Sequence, residues 1–192
     1  SPQARLDLFN TARDLFLADG YVEIGIDHFA RPEDGLATAQ QAGLLKRNFQ
    51  GYTDDQARAL VGLGASSISR YPQGFAQNAP ATGAHTKAIR AGRLSVSRGH
   101  AFSAEDIWRA RMIEALMCDF RIDAAEMTRD HGLDRVALHQ LFAPIAAHFG
   151  EMVRISADGS LDIPLEARPL TRMIAHMLDA YDMAATGHST AI

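Results

Sequence analysis

The chain has 192 residues, 47% of them hydrophobic and 22% charged, with a formal net charge of −4 at pH 7. These values are typical of a soluble globular protein with one domain or two small ones, and they exclude intrinsic disorder. The mild acidity, without a dense run of Lys and Arg, disfavours a protein that grips nucleic-acid phosphates.

The cysteine count limits which cofactors this chain can hold. Its one cysteine, Cys118, cannot form an intramolecular disulfide, and alone it cannot hold structural zinc or an iron–sulfur cluster. The eight histidines are scattered, so no metal site is expected. The sequence has neither a leader pattern nor a long apolar run, so we expect no signal peptide, no membrane span and a cytoplasmic location.

The first 43 residues predict two helices with a strand between them. Apolar spacing indicates an amphipathic helix over 3–19, ended by Gly20. Tyr21–Asp27 then alternates as a strand does, and a helix that feeds a strand is half of a β/α unit. A short helix over 33–41 follows and is closed by Gly43.

The stretch from 45 to 93 is less regular. Residues 45–53 are polar and aromatic without periodicity, which predicts a loop, and a capping-box pattern predicts a helix that begins at Asp54. The small, glycine-punctuated run 61–69 fits a buried strand or a tight strand-to-loop turn. Residues 71–93 predict an extended connection with one or two helical turns near 85–91.

After a predicted boundary at 95–102, the patterns become helical. The predicted elements are a helix capped by Ser103, helices over 124–130 and 134–149, a hairpin of 152–155 with 161–163, and a helix from 165 to about 183. This order predicts a winged-helix-like module, followed by a flexible tail over 186–192.

A winged-helix pattern raises DNA binding as an alternative function. The helix that would enter the major groove offers only Arg135 and Gln140 among the side chains that read bases. DNA recognition is therefore a minor hypothesis.

Two segments are candidates for binding a ligand. Asp27 and His28 end a predicted strand, where β/α proteins place functional groups, although polar residues also end ordinary surface strands. The block Arg47–Tyr52 is rich in donors that suit carboxylates or phosphates, and the alternative is a solvated loop. The run Gly62–Gly64 lacks the third glycine of a dinucleotide motif, so as a phosphate cradle it is weak.

Several segments together resemble one enzyme family. They are Asp27–Ala30, Leu45–Thr53, Gly62–Ser69, Tyr71–Asn78 and Ile113–Asp123. In this combination the chain resembles the oxygen-independent coproporphyrinogen III oxidases, also called coproporphyrinogen dehydrogenases, which are radical S-adenosylmethionine enzymes of haem biosynthesis. The most specific part of the likeness is the Arg47–Tyr52 block.

The resemblance implies a definite architecture and reaction. The family has a partial β/α barrel that carries a [4Fe-4S] cluster on a three-cysteine loop, and a small helical domain covers the barrel mouth. A radical made from S-adenosylmethionine removes hydrogen from two propionates of coproporphyrinogen III, which lose CO2 and become the vinyl groups of protoporphyrinogen IX. A second S-adenosylmethionine lies beside the first.

This chain departs from that pattern because it lacks the three-cysteine loop. It is therefore interpreted as the C-terminal part of such an enzyme, inactive without the missing N-terminal part. The predicted fold class is α/β plus α. Residues 1–98 are the end of the partial barrel, 99–185 the helical, winged-helix-like covering domain, and 186–192 the tail.

The resemblance also supplies candidate site residues. Ile68 matches the position through which the family contacts the second S-adenosylmethionine. The candidates for binding substrate are Asp27, His28, Arg47, Asn48, Gln50 and Tyr52. Charge suggests that Arg47 pairs with a substrate carboxylate, and neither a catalytic residue nor a metal ligand is assigned to this chain.

Two other functions stay open. A related class with the same barrel acts as a haem chaperone, although its corresponding segment lacks the Arg47–Tyr52 block. The chain could also be a non-catalytic interaction module, since it has no nucleophile or metal constellation. Exposed strand edges could pair two copies of the chain, and the sequence does not assign an oligomeric state.

Overall fold

A computed structural model describes residues 1–181 of the chain. Its α-helices are α1 (Pro2–Ala18), α2 (Gly35–Gln41), α3 (Thr82–Arg90), α4 (Ala104–Asp119), α5 (Ala124–His131), α6 (Arg135–Phe149) and α7 (Thr171–His176). Its strands are β1 (Val22–Ile24), β2 (His28–Ala30), β3 (Lys46–Asn48), β4 (Gly51–Thr53), β5 (Ile68–Tyr71), β6 (Gly74–Asn78), β7 (Val96–Ala101), β8 (Arg121–Ile122), β9 (Arg154–Ile155) and β10 (Leu161–Asp162). The predicted tail 186–192 lies outside the described residues.

The chain divides into two compact units. One unit joins Ser1–Asp54 to the chain from Trp108 onward, and the other is Asp55–Ile107. Along residues 1–181, no helix combines the length and the apolar character that crossing a bilayer requires.

The predicted mixture of helices and strands is confirmed, but the strands do not form parallel β/α units. Within the described residues, the four small sheets are built from antiparallel pairs only. Tyr21–Asp27 is not one strand of a β/α unit, because β1 ends at Ile24 and the chain turns back to pair with β2. Gly25 makes this turn possible with a φ of 56°, a backbone conformation that favours glycine.

Residues 45–53 form a hairpin, which contradicts the predicted loop. β3 pairs with β4 in the register Arg47 opposite Tyr52 and Asn48 opposite Gly51. The predicted helix at Asp54 is also wrong. Thr53 is engaged as a strand residue opposite Lys46, so it does not cap a helix.

The unit Asp55–Ile107 contains a three-stranded sheet in the order β5, β6, β7. The run 61–69, predicted as a buried strand or a tight strand-to-loop turn, enters a strand only at Ile68, and Leu63 within it is 85% exposed. The helical turns expected near 85–91 belong to α3. The stretch expected to be a boundary at 95–102 contains β7, the sheet's third strand.

The helices α4, α5 and α6 and the hairpin of β9 with β10 confirm the elements predicted for the C-terminal half. Local caps explain why these helices were predictable: Asp123 and Asp134 accept the N-terminal amides of α5 and α6, and Gly132 ends α5 in a left-handed conformation. Strand β8, which has two residues, was not predicted. It pairs with β10.

The last predicted helix begins differently from the sequence-based expectation. Leu165–Leu170 forms 3-10 turns that contain Pro169, and α7 begins only at Thr171. Proline lacks the amide that a continuous helix needs, which accounts for the interruption. The end of the predicted helix, 182–183, lies outside the described residues.

Two clusters of apolar side chains flank helix α4. The larger is formed by the helices and sheet of the C-terminal half, with Leu116 and Phe142 fully buried. The smaller gathers Ile24, Leu45 and Cys118, with Tyr52 packed against it. Helix α4 therefore joins the N-terminal hairpins to the C-terminal core.

Phe142→Ala is expected to lower the free energy of unfolding by about 3–5 kcal/mol, because it leaves a cavity in the larger cluster. Val136→Ala on the same helix is the control. Val136 is 66% exposed, and a surface change of this kind costs about 0.5 kcal/mol or less. Chemical denaturation followed by circular dichroism measures both. Equal losses in the two variants would contradict the assignment of this core.

Candidate functional site

The hydroxyl of Tyr52 joins three segments of the chain. Tyr52 lies on β4, and its Oη accepts the Ile26 amide at 3.0 Å while donating to the Met117 carbonyl of α4 at 2.8 Å. Burial raises the pKa of Tyr52 to about 12. The phenol therefore stays protonated at neutral pH and can make both hydrogen bonds at once.

Gly25 lets the Tyr52 ring approach the turn between β1 and β2. A Cβ at position 25 would overlap the ring atoms of Tyr52. Asp27 in the turn and His28 at the start of β2 are thus held beside the hairpin that carries Arg47.

Asp27 bridges two donors at the surface of this unit. Its Oδ1 lies 2.7 Å from His28 Nδ1, and its Oδ2 lies 2.5 Å from Nη2 of Arg172 on α7. The imidazole of His28 packs edge-on against Tyr52, with ring centroids 5.0 Å apart. Asp27 and His28 therefore lie beside Tyr52, so these three predicted site residues are close together in space.

Arg47 lies on the other strand of the hairpin, directly opposite Tyr52. Its guanidinium carbon is 5.6 Å from the centroid of the Tyr52 ring. The Nε atom is buried, and no hydrogen-bond partner for it is found among the described residues. A buried donor without a partner is costly, and an incoming carboxylate would satisfy it.

Glu114 of α4 anchors the hairpin strand. Its Oε1 accepts the Arg47 amide at 3.4 Å, and its Oε2 lies 3.5 Å from Lys46 Nζ and 3.6 Å from Arg111 Nη1. Arg111 is held in turn by a bidentate pair with Glu126. The carboxylate of Glu114 therefore engages the neighbouring cations and leaves the Arg47 side chain available.

The remaining predicted residues of this segment form the hairpin turn. Asn48 Oδ1 accepts the backbone amide of Gln50 at 2.8 Å, an Asx turn that shapes the connection from β3 to β4. The Gln50 side chain is exposed. Six of the seven predicted site residues thus lie on two adjacent hairpins.

The seventh, Ile68, lies in the other compact unit. It opens β5, is half-buried and pairs with Gln77 of β6. That unit also has a surface depression along α3, lined by Thr82, Gly83, Thr86, Lys87, Arg90 and Ala91. None of the predicted site residues contributes to the depression.

The chain does not provide the ligands of an iron–sulfur cluster. Such clusters are bound by several cysteine thiolates, and burial raises the pKa of the single Cys118 to about 12. Cys118 also packs in the smaller core cluster. Across residues 1–181 there is no group of three His, Cys, Asp or Glu side chains that could hold a metal ion.

Two residues of the site were not predicted, Glu114 and Arg172. Both lie far along the chain from the segments they contact, Arg172 being 145 positions from Asp27. Glu114 lies within the Ile113–Asp123 segment noted for its resemblance, which is the one signal that could have drawn attention to it.

The comparisons with known proteins agree with one another. An oxygen-independent coproporphyrinogen III oxidase from Paracoccus denitrificans is 71% identical over 191 residues, and one from Cereibacter sphaeroides is 54% identical over 181 residues. The predicted family resemblance is confirmed. A solved structure described as "Coproporphyrinogen III oxidase (HemN) from Escherichia coli is a Radical SAM enzyme" is 33% identical to the chain and has a TM-score of 0.83.

The matches include nearly all of this chain but less than half of each relative. The match to the Paracoccus protein covers 100% of this chain and 42% of the Paracoccus protein. The match to the Cereibacter protein covers 94% of this chain and 40% of that protein. The match to the solved structure covers 94% of this chain and 42% of the chain in that structure. The chain spans about two-fifths of the length of these relatives, and no family model matches it.

Tyr52→Phe is expected to destabilise the unit by about 1–3 kcal/mol, because it leaves the Ile26 amide without its acceptor in a partly buried place. Denaturation by urea measures the loss. Tyr21→Phe is the matched control, since Tyr21 makes ring contacts with Phe16 and Arg31 but no hydrogen bond through its hydroxyl in the described part of the chain. A loss in the control as large as that in Tyr52→Phe would contradict the bridging role.

The raised pKa of Tyr52 gives a second test. In a spectrophotometric titration at 295 nm, the folded chain is expected to show a phenolate step near pH 12. This step should be missing from Tyr52→Phe and retained in Tyr21→Phe. A titration of Tyr52→Phe that matches the parent chain at high pH would show that Tyr52 is not the late-ionising residue.

Proposed function

We propose that this chain is the C-terminal part of an oxygen-independent coproporphyrinogen III oxidase of haem biosynthesis. The parent protein converts two propionates of coproporphyrinogen III to vinyl groups by oxidative decarboxylation, giving protoporphyrinogen IX. The observation that carries the proposal is the 71% identity to such an oxidase over the whole chain. The TM-score of 0.83 to a radical S-adenosylmethionine oxidase supports it independently.

The iron–sulfur cluster and the S-adenosylmethionine that it activates are assigned to the rest of the parent protein. The single buried Cys118 does not fit a cluster ligand, so no chemical step through the cluster is derived from these residues. The isolated 192-residue chain is accordingly expected to have no turnover. Its part in the reaction is to bind and orient.

Substrate binding is proposed for the two hairpins of the candidate site. Coproporphyrinogen III carries four carboxylates, and Arg47 presents a buried, unpartnered Nε beside the Tyr52 ring. A guanidinium can bind a carboxylate through two parallel hydrogen bonds, which fixes orientation as well as charge. The other residues proposed to contact the substrate lie around Arg47: Asp27, His28, Asn48 and Gln50. Tyr52 holds the two hairpins in place.

The remaining proposals follow from the family. Ile68 contacts the second S-adenosylmethionine, residues 1–98 form the C-terminal part of the partial barrel, and residues 99–185 form the covering domain. The element order α4, β8, α5, α6, β9, β10 supports a winged-helix-like description of that domain. The cytoplasm is the proposed compartment.

The decisive experiment uses the complete reading frame to which this chain belongs. The protein is expressed, its cluster is reconstituted without oxygen, and conversion of coproporphyrinogen III to protoporphyrinogen IX is assayed. Conversion by the full protein and none by the 192-residue chain is the expected result. A loaded cluster without conversion would overturn the oxidase assignment, and transfer of haem without conversion would favour the chaperone.

Arg47→Ala in the full-length protein is expected to weaken binding of coproporphyrinogen III by about 1.5–3 kcal/mol, because a charge-assisted hydrogen bond is lost. Arg154→Ala is the control, since the Arg154 side chain is 68% exposed and its ion pair with Glu166 is long, at 3.5 Å. Titration with the fluorescent oxidised analogue coproporphyrin III measures both. Unchanged affinity in Arg47→Ala would remove this residue from the substrate site.

A further inference from the structure

The surroundings of His28 fix one of its two ring nitrogens. Ionised carboxylates only accept hydrogen bonds, so Asp27 Oδ1, 2.7 Å from His28 Nδ1, places the ring proton on Nδ1. In the neutral ring Nε2 then carries a free lone pair. The hydrogen bonding of His28 within residues 1–181 runs through Nδ1 alone.

Arg172 holds the Asp27 carboxylate in place. Its Nη2 is 2.5 Å from Asp27 Oδ2, on the opposite side of the carboxylate from His28. Both oxygens of Asp27 are therefore occupied, so the group cannot rotate without losing an ion pair. A carboxylate that holds a histidine tautomer in this way is a common means of orienting a functional imidazole.

The free Nε2 is directed at the hairpin that carries Arg47. A Cβ built on Gly51, in the turn of that hairpin, would lie 3.6 Å from Nε2. The ring is nearly perpendicular to Tyr52, at an interplanar angle of 83°. The His28 side chain as a whole is 48% exposed.

We infer that Arg172 is a positioning residue which, through Asp27, holds His28 with Nε2 as a hydrogen-bond acceptor for an N–H group of the substrate. The inference rests on the proposed function, because a porphyrinogen offers pyrrole N–H donors as well as carboxylates. Arg47 and His28 flank the same Tyr52 ring. Together they provide a donor for a substrate carboxylate and an acceptor for a ring N–H.

Nitrogen-15 NMR of the imidazoles in the full-length protein tests the tautomer without any turnover. His28 is assigned by the signals that disappear in His28→Gln. In the parent protein we expect a protonated Nδ1 and a bare Nε2. Arg172→Gln should shift the signals toward an averaged or Nε2-protonated tautomer, whereas Arg172→Lys should stay close to the parent. A protonated Nε2 in the parent, or no change in Arg172→Gln, would overturn the inference.

Kinetics test the consequence for substrate. Arg172→Gln should raise KM for coproporphyrinogen III by roughly threefold to tenfold, the range for one misplaced hydrogen bond, with a smaller change in kcat and recovery in Arg172→Lys. Arg154→Gln, at an exposed arginine away from the site, should behave as the parent. If KM is unchanged in Arg172→Gln while the tautomer shifts, His28 does not contact substrate and the inference fails.

The two proposals can fail separately. If the reconstituted protein does not convert coproporphyrinogen III, the proposed function fails whatever the NMR result. If conversion proceeds and the His28 tautomer does not depend on Arg172, the oxidase assignment stands and only the positioning role is lost.

Discussion

The arrangement of the site depends on one phenol. The hairpins β1–β2 and β3–β4 are two-stranded and three residues long on each strand, and hairpins of this size have little stability alone. Tyr52 ties them to each other and to α4 through its hydroxyl, while its ring packs against the smaller core cluster. The positions of His28 and Arg47 follow from where that ring lies.

The charged side chains around Tyr52 differ in whether they have partners within the chain. Glu114 and Asp27 are each engaged by fixed partners: Glu114 by Lys46 and Arg111, Asp27 by Arg172 and His28. Arg47 differs because its buried Nε is not paired with either carboxylate. This unpartnered donor is the observation on which the proposed binding of a substrate carboxylate depends.

Sequence alone could predict the elements whose stability is local. Helix α2 has Asp34 as its N-cap and helix α5 has Asp123, and a helix was predicted at both places. The hairpin of β3 and β4 was missed because Lys46–Asn48 has no apolar alternation, and much of what holds it comes from Glu114 on a helix more than sixty residues later. Asp27 was singled out by its place at the end of a predicted strand and Arg47 by its donor chemistry, and the family resemblance then pointed to both. Arg172 was not, since nothing local to it signals a contact with a distant turn.

The contacts of Asp27 also determine when its two partners become available during translation. The ribosome makes Asp27 and His28 before the arginine that occupies the other oxygen of Asp27, which follows 145 residues later. Until α7 has left the exit tunnel, the carboxylate is free to rotate and the imidazole is not held. The pairing of Asp27 therefore becomes complete only after Arg172 has been made, and a nascent chain that stops before Arg172 carries Asp27 and His28 without this alignment.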